Sequence, residues 1–138
     1  MPEYKTILHR WFDEVWNQKR IDTIEEMLTE ETQHHGLSGP GGEPVIGIDN
    51  FKAFPGGFLA AFPDLSVEVH DVICEDNKLA VLYTVTGTHH GPLPGREATG
   101  RAVAFQGSGM CTMKDGKFDQ VWNVIDFMKM NSDLDAAA

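Results

Sequence analysis

Six histidines and one late aspartate are the side chains whose type and spacing fit acid–base chemistry: His9, His34, His35, His70, His89, His90 and Asp126. Four of the histidines form two adjacent pairs. Successive residues of a strand face opposite sides, so at most one of His34 and His35, and one of His89 and His90, can enter a common site. Such a pair could polarise a carbonyl or shuttle a proton near neutral pH. Asp126 sits between Ile125 and Phe127 near the end of a β-type run. An apolar setting there would raise its pKa and make it a better base or acid. The blander assignments are a rim aspartate paired with a lysine or an amide, and histidines that cap loops. No HxH, HExxH or His-plus-Glu spacing points to a metal. Ser108 lies in GSG rather than GxSxG, and neither Cys74 nor Cys111 has a neighbouring histidine.

The elements that must position these groups are legible from periodicity. Tyr4, Ile7, Leu8, Trp11, Phe12, Val15 and Trp16 recur at three- and four-residue spacing, which predicts an amphipathic helix. A second, shorter helix is expected from about residue 22, burying Ile24, Met27 and Leu28, with Asp22 as N-cap and Glu25 completing a capping-box-like pair. Residues 32–37 could form a strand that leads into a Gly/Pro-rich loop. Phe51, Phe54, Phe58, Leu59 and Phe62 mark helix again over 48–62, and Pro55-Gly56-Gly57 is expected to break it into two pieces. From Leu65 the period becomes two. Strands are expected up to the Glu75–Lys78 turn, then over 79–90, 102–113 and 118–130, the last two joined by an Asp-Gly turn. The end, NSDLDAAA, is expected to fray.

Helices followed by four long strands predict an α+β fold with an antiparallel sheet. On the last strand one face carries Gln120, Trp122 and Asp126, and the other Val121, Asn123 and Ile125. Periodicity leaves open which of the two looks inward. The phenylalanines and tryptophans at helical spacing read most simply as core. Met110, Met113, Met128 and Met130, placed on strands, could equally wall a pocket.

Composition bounds the function. The chain has 138 residues, 41% of them hydrophobic, which fits a single domain. Eleven basic against 21 acidic residues give a formal charge of −10. That balance argues against nucleic-acid partners and anionic membrane surfaces, which need a clustered positive face. No apolar run approaches the length of a membrane span, and the N-terminus lacks the pattern of a secretory leader. A cytoplasmic location is therefore expected.

Several landmarks in order carry a family resemblance: FDEVWNQKRIDTIEEML, HHG, Phe62-Pro63-Asp64-Leu65, Asp71-Val72-Ile73, Gly87-Thr88-His89-His90-Gly91, Thr99-Gly100-Arg101 and DGKFDQVWNVIDF. Together they span about residues 8–127. The sequence resembles the SnoaL-like polyketide (ester) cyclases of the nuclear transport factor 2-like, cystatin-like superfamily, which also holds ketosteroid isomerases. The resemblance implies one domain over residues 1–138, with a core at about 4–130. It implies a cone of N-terminal helices packed on a curved, mainly antiparallel sheet, usually as a homodimer. It implies a lyase- or isomerase-type reaction that needs no metal or organic cofactor, namely proton abstraction beside a carbonyl of a small apolar compound, leading to aldol cyclisation or isomerisation. Matching the WxxxD ending makes Asp126 the general acid/base. His89 and His35 would assist it as polarising or relay groups, and His34, Trp122, Gln120, Phe105, Phe62 and Trp16 would contact the substrate. Gln120 stands where many relatives carry an acid, which is compatible with a donor role. A non-catalytic binding module on the same fold is the alternative.

Overall fold

The chain starts with helix α1, Tyr4–Arg10, which continues into a π-helical stretch, Trp11–Asn17. The change of register shows in Gln18 N–H donating to the Asp13 carbonyl at 2.8 Å, a five-residue step. The α-helical spacing expected throughout this segment therefore holds only in its first half. The wider winding brings Trp11 and Trp16, five residues apart, towards one side, so both face the interior described below. Single π turns inside helices are frequent at functional sites. Helix α2, Asp22–Met27, follows. Its N-cap is Ile21, without a side-chain cap, so Asp22 is the first helical residue and not the expected cap.

Two short strands, β1 (Gln33–His35) and β2 (Val45–Ile46), precede helix α3, Ile48–Ala61. The structure, a computed structural model, describes residues 3–37, 43–93 and 95–135. The middle of the Gly/Pro loop, Pro94 of the second such loop and the last three residues of the expected frayed end lie outside that set. Helix α3 runs unbroken through Pro55, Gly56 and Gly57, contrary to the expected split. Pro55 forfeits the bond to the carbonyl four residues back, but its ring is buried in the core, and that burial offsets the loss.

Four long strands complete the sheet: β3 Ser66–Glu75, β4 Lys78–Thr88, β5 Ala102–Lys114 and β6 Lys117–Ile125. The order is β2-β1-β6-β5-β4-β3. Every pairing is antiparallel except β1 with β6, where His34 stands beside Val121 and His35 beside Trp122. Gly36, directly after β1, has φ of +86°, and a Cβ there would lie 2.1 Å from the Asn123 carbonyl oxygen; only glycine fits that approach. The expected fourth strand stops at Ile125, and helix α4, Phe127–Asp135, takes over. Its N-cap is Asp126, whose Oδ1 accepts the Lys129 N–H at 3.0 Å. Met130 and Leu134, one turn apart, bury its inner face, while Met128 is exposed. Met128 and Met130 are thus helical rather than strand residues.

The core lies between the helices and the concave face of the sheet. It includes Leu8, Trp11, Phe12, Val15, Ile24, Phe51, Phe62, Val81, Tyr83, Val85, Phe105 and Phe118. A bulge between Val69 and Asp71 in β3 and another at Asp119 in β6 bend these two strands, so the sheet curls around the helices. The architecture is an α+β cone.

Candidate active site

Two adjoining chambers occupy the cone, with about 50 and 60 Å³ of open interior. Phe12, Trp16, Phe54 and Ile125 line both, so the two chambers adjoin across these side chains. The first is completed by Phe58, Leu65, Val67, Tyr83, Val85 and Phe105. The second adds Trp11, His34, Phe51, Val81, Cys111, Val121 and Asn123, among others. Among the described residues, neither wall contains an Asp, Glu, Lys or Arg. Aromatic lining with a few polar groups is the usual make-up of a small-molecule site.

His34 lines the second chamber. It is 3% exposed, lies between Phe51 (ring centroids 4.0 Å apart) and Trp11 (6.4 Å), and its Nδ1 is buried without a hydrogen-bond partner among the described residues. Burial, with a smaller contribution from neighbouring His35, pushes its pKa down to about 3, so the resting ring is neutral. A buried polar group without a partner is costly; among the described residues His89 Nε2 is in the same state, but His34 is the one of the two that lines a chamber. Asn123 lines the same chamber; its Nδ2 donates to the His35 carbonyl at 3.0 Å, which fixes the carboxamide. Tyr83 faces the first chamber, with its phenol pushed up to about 12 by burial. The Cys111 thiol, also pushed up to about 12, stays protonated and is no nucleophile.

Strand parity decides the question that periodicity left open. Val121, Asn123 and Ile125 face the cavity, while Trp122 and Val124 are exposed on the convex side. Three expected groups therefore stand on the far side of the sheet. His35 Nε2 meets Gln120 Oε1 at 2.9 Å, and its ring stacks on Trp122 with centroids 5.4 Å apart. Asp126, expected in a desolvated pocket, is instead exposed and occupied in capping α4. His89 is fully buried but lines neither chamber: Thr99 holds its Nδ1 through both Oγ1 (3.0 Å) and N–H (3.2 Å), and Phe62 packs against its ring. Phe62 is likewise core, not wall. Of the expected contact residues the structure brings together His34, Trp16 and Phe105. Reasoning from sequence missed Tyr83 and Asn123. Tyr83 shares the parity of Val81 and Val85, and Asn123 that of Ile125, so their inward faces were readable once the interior side was known.

No group of three or more His, Cys, Asp or Glu among the described residues is arranged to hold a metal ion. Among the same residues, no helix is long and apolar enough to cross a membrane.

A curved sheet closed by helices around an aromatic cavity defines the nuclear transport factor 2-like class of α+β cones. Within it the chain belongs to the SnoaL-like polyketide cyclase family, whose sequence profile matches residues 6–134. A candidate SnoaL-like polyketide cyclase from Jannaschia Sp. CCS1 superposes with a TM-score of 0.84 at 26% identity, over 98% of this chain and 92% of that one. AclR, a candidate hydroxylase from Streptomyces galilaeus, gives 0.81 at 28% identity over 97% and 82%. IdmH from Streptomyces antibioticus, a candidate polyketide cyclase, shares the fold with a TM-score of 0.84 at 22% identity, covering 97% and 99%. No curated protein matches the sequence.

Proposed function

We propose that the chain is a pocket enzyme of the cyclase type that moves a proton at a carbon next to a carbonyl of a neutral, largely apolar compound. The observation that carries this reading is His34: buried, unheld, and facing a cavity with no carboxylate in its walls. In the reaction His34 takes the proton from carbon and the electron pair forms an enolate. The enolate carbon attacks a second carbonyl of the same molecule to form the C–C bond, and that carbonyl's oxygen receives the proton back from His34. Burial disfavours imidazolium in the empty cone; an enolate beside it supplies the missing counter-charge, so the charged pair is stabilised only as the reaction proceeds. Asn123 and Tyr83 are the available neutral donors. No step of this scheme calls on a cofactor.

The test is hydrogen–deuterium exchange of β-tetralone in heavy water, followed by NMR. The wild-type protein accelerates exchange beside the carbonyl above the buffer rate, His34→Phe loses the acceleration, and Asp126→Ala retains it. Loss in Asp126→Ala with retention in His34→Phe would return the role to the aspartate. Binding of β-tetralone without any exchange would support the second reading, a binding module, which the carboxylate-free walls favour.

The partner proposed for the convex face is a second copy of the chain. Ala80, Leu82, Ser108, Met110, Gln120, Trp122 and Val124 occupy its central positions, and none is charged, although the chain carries 11 basic and 21 acidic residues. These positions lie on three strands, and at ~4.8 Å spacing and about eight residues of length they give a face of roughly 380 Å². With Ile73 and Met128 at its margins it supplies about half of the ~800 Å² per partner of a standard interface.

A further inference from the structure

The Tyr83 side chain is set in place by a glycine on the neighbouring strand. Tyr83 pairs with Gly107 across β4 and β5, and a Cβ on Gly107 would lie 2.5 Å from Cε2, Cζ and the hydroxyl oxygen of Tyr83. The tip of the phenol thus fills the space a side chain at 107 would take. Phe12 packs against the ring, with centroids 4.9 Å apart. Gly107 pairs in turn with Ile125, which lines both chambers, whereas Tyr83 lines the first. Tyr83 is 6% exposed, and its hydroxyl has no hydrogen-bond partner among the described residues; burial is the one influence on its acidity and keeps it protonated. Apart from the Trp16 indole, every other side chain around the first chamber is hydrocarbon: Phe12, Phe54, Phe58, Leu65, Val67, Val85, Phe105 and Ile125. A fixed, unpartnered donor in such a wall fits an acceptor oxygen brought by the ligand.

We infer that the Tyr83 hydroxyl, propped over Gly107, anchors a carbonyl oxygen of the ligand, and that the cavity selects neutral cyclic ketones against carboxylates. The inference rests on the cone being the ligand site. Selection against carboxylates follows from walls that hold no cation: an anion would lose its hydration without a counter-charge. The second oxygen function of the ligand then falls to the His34 and Asn123 end.

The experiment is NMR titration of nitrogen-labelled protein with tetralin, β-tetralone and tetralin-carboxylate, read at the indole N–H signals. Trp11 and Trp16 report the cavity, and Trp122 reports the convex face. In the wild type β-tetralone binds about three- to tenfold more tightly than tetralin, the span of one neutral hydrogen bond, and the carboxylate does not move Trp11 or Trp16. Tyr83→Phe abolishes the ketone's advantage and leaves tetralin affinity unchanged. Gly107→Ala, which displaces the ring while keeping the hydroxyl, reduces the advantage as well; should that variant fail to fold, Tyr83→Phe decides alone. An undiminished ketone advantage in Tyr83→Phe overturns the inference while leaving the cavity as the site. Shifts confined to Trp122, or none with any probe, overturn the cavity reading itself.

Discussion

His34 ties ionisation to stability. In the unfolded chain it takes up a proton below about pH 6.5, whereas in the fold it does so only near pH 3. The lowered pKa therefore contributes stability that is fully present above pH 6.5 and is lost as pH falls towards 3. The loss approaches ~1.4 kcal/mol per pH unit, or about 2 kcal/mol by pH 5. His89, also lowered chiefly by its burial, acts in the same direction. Urea unfolding at a series of pH values should show His34→Phe with a shallower acid-side decline than wild type; parallel curves would mean that His34 is not held neutral. The same residue marks how far types and spacing can be read. The rule that at most one member of each histidine pair can enter a common site is legible, and it holds for His34 and His35. Which member does so depended on the pairing of β1 with β6, a contact across 85 residues that no local pattern encodes.

Helix boundaries decided what the site contains. Periodicity ran the last strand through Asp126 because alternating apolar residues continue to Phe127, but Asp126 caps a helix whose Met130 and Leu134 are one turn apart. The signal was present in the sequence: an aspartate followed by helix-compatible apolar residues at four-residue spacing is also an N-terminus. Asp126→Ala should cost about 1 kcal/mol, the usual loss for a removed cap, seen as a lowered urea midpoint. The ketone-induced shifts at Trp11 and Trp16 should stay unchanged. In α3 the Pro-Gly-Gly triplet was read as a break because local propensity disfavours helix there; tertiary burial of Pro55 overrides it. Gly56 and Gly57 are exposed and helical, and a methyl group added at either would meet no atom within 4 Å. Gly56→Ala and Gly57→Ala should each raise stability by about 0.5–1 kcal/mol in chemical denaturation. A decrease would show that the helix is strained at that turn.

At the scale of the molecule, the N-terminal helices followed by four long strands, the α+β class and the apolar interior are readable from patterning, because periods of 3.6 and 2 report burial directly, whereas β2 and helix α4 are not. The convex face was not, since its apolar residues were assigned to the pocket side. If it pairs two copies, Trp122→Lys and Met110→Asp should each give monomers in sedimentation equilibrium where the wild type is a dimer, with the cavity signals of Trp11 and Trp16 intact. A monomeric wild type would refute the paired arrangement.

The parallel seam between β1 and β6 also dictates when the pocket can exist. Asn123 holds the carbonyl of His35 across 88 residues, and β1 has no neighbours besides β2 and β6 among the described strands. During synthesis the first strand can pair with β2 at once, but it must wait for the last strand before it joins the rest of the sheet. Long-range closure of this kind is entropically expensive and slow. The two polar poles of the cone also mature in sequence. Tyr83 and Gly107 can meet as soon as β4 and β5 pair, whereas the His34 end is completed only when β6 is in place. A nascent chain halted before β6 would expose its aromatic wall without any means of closing it.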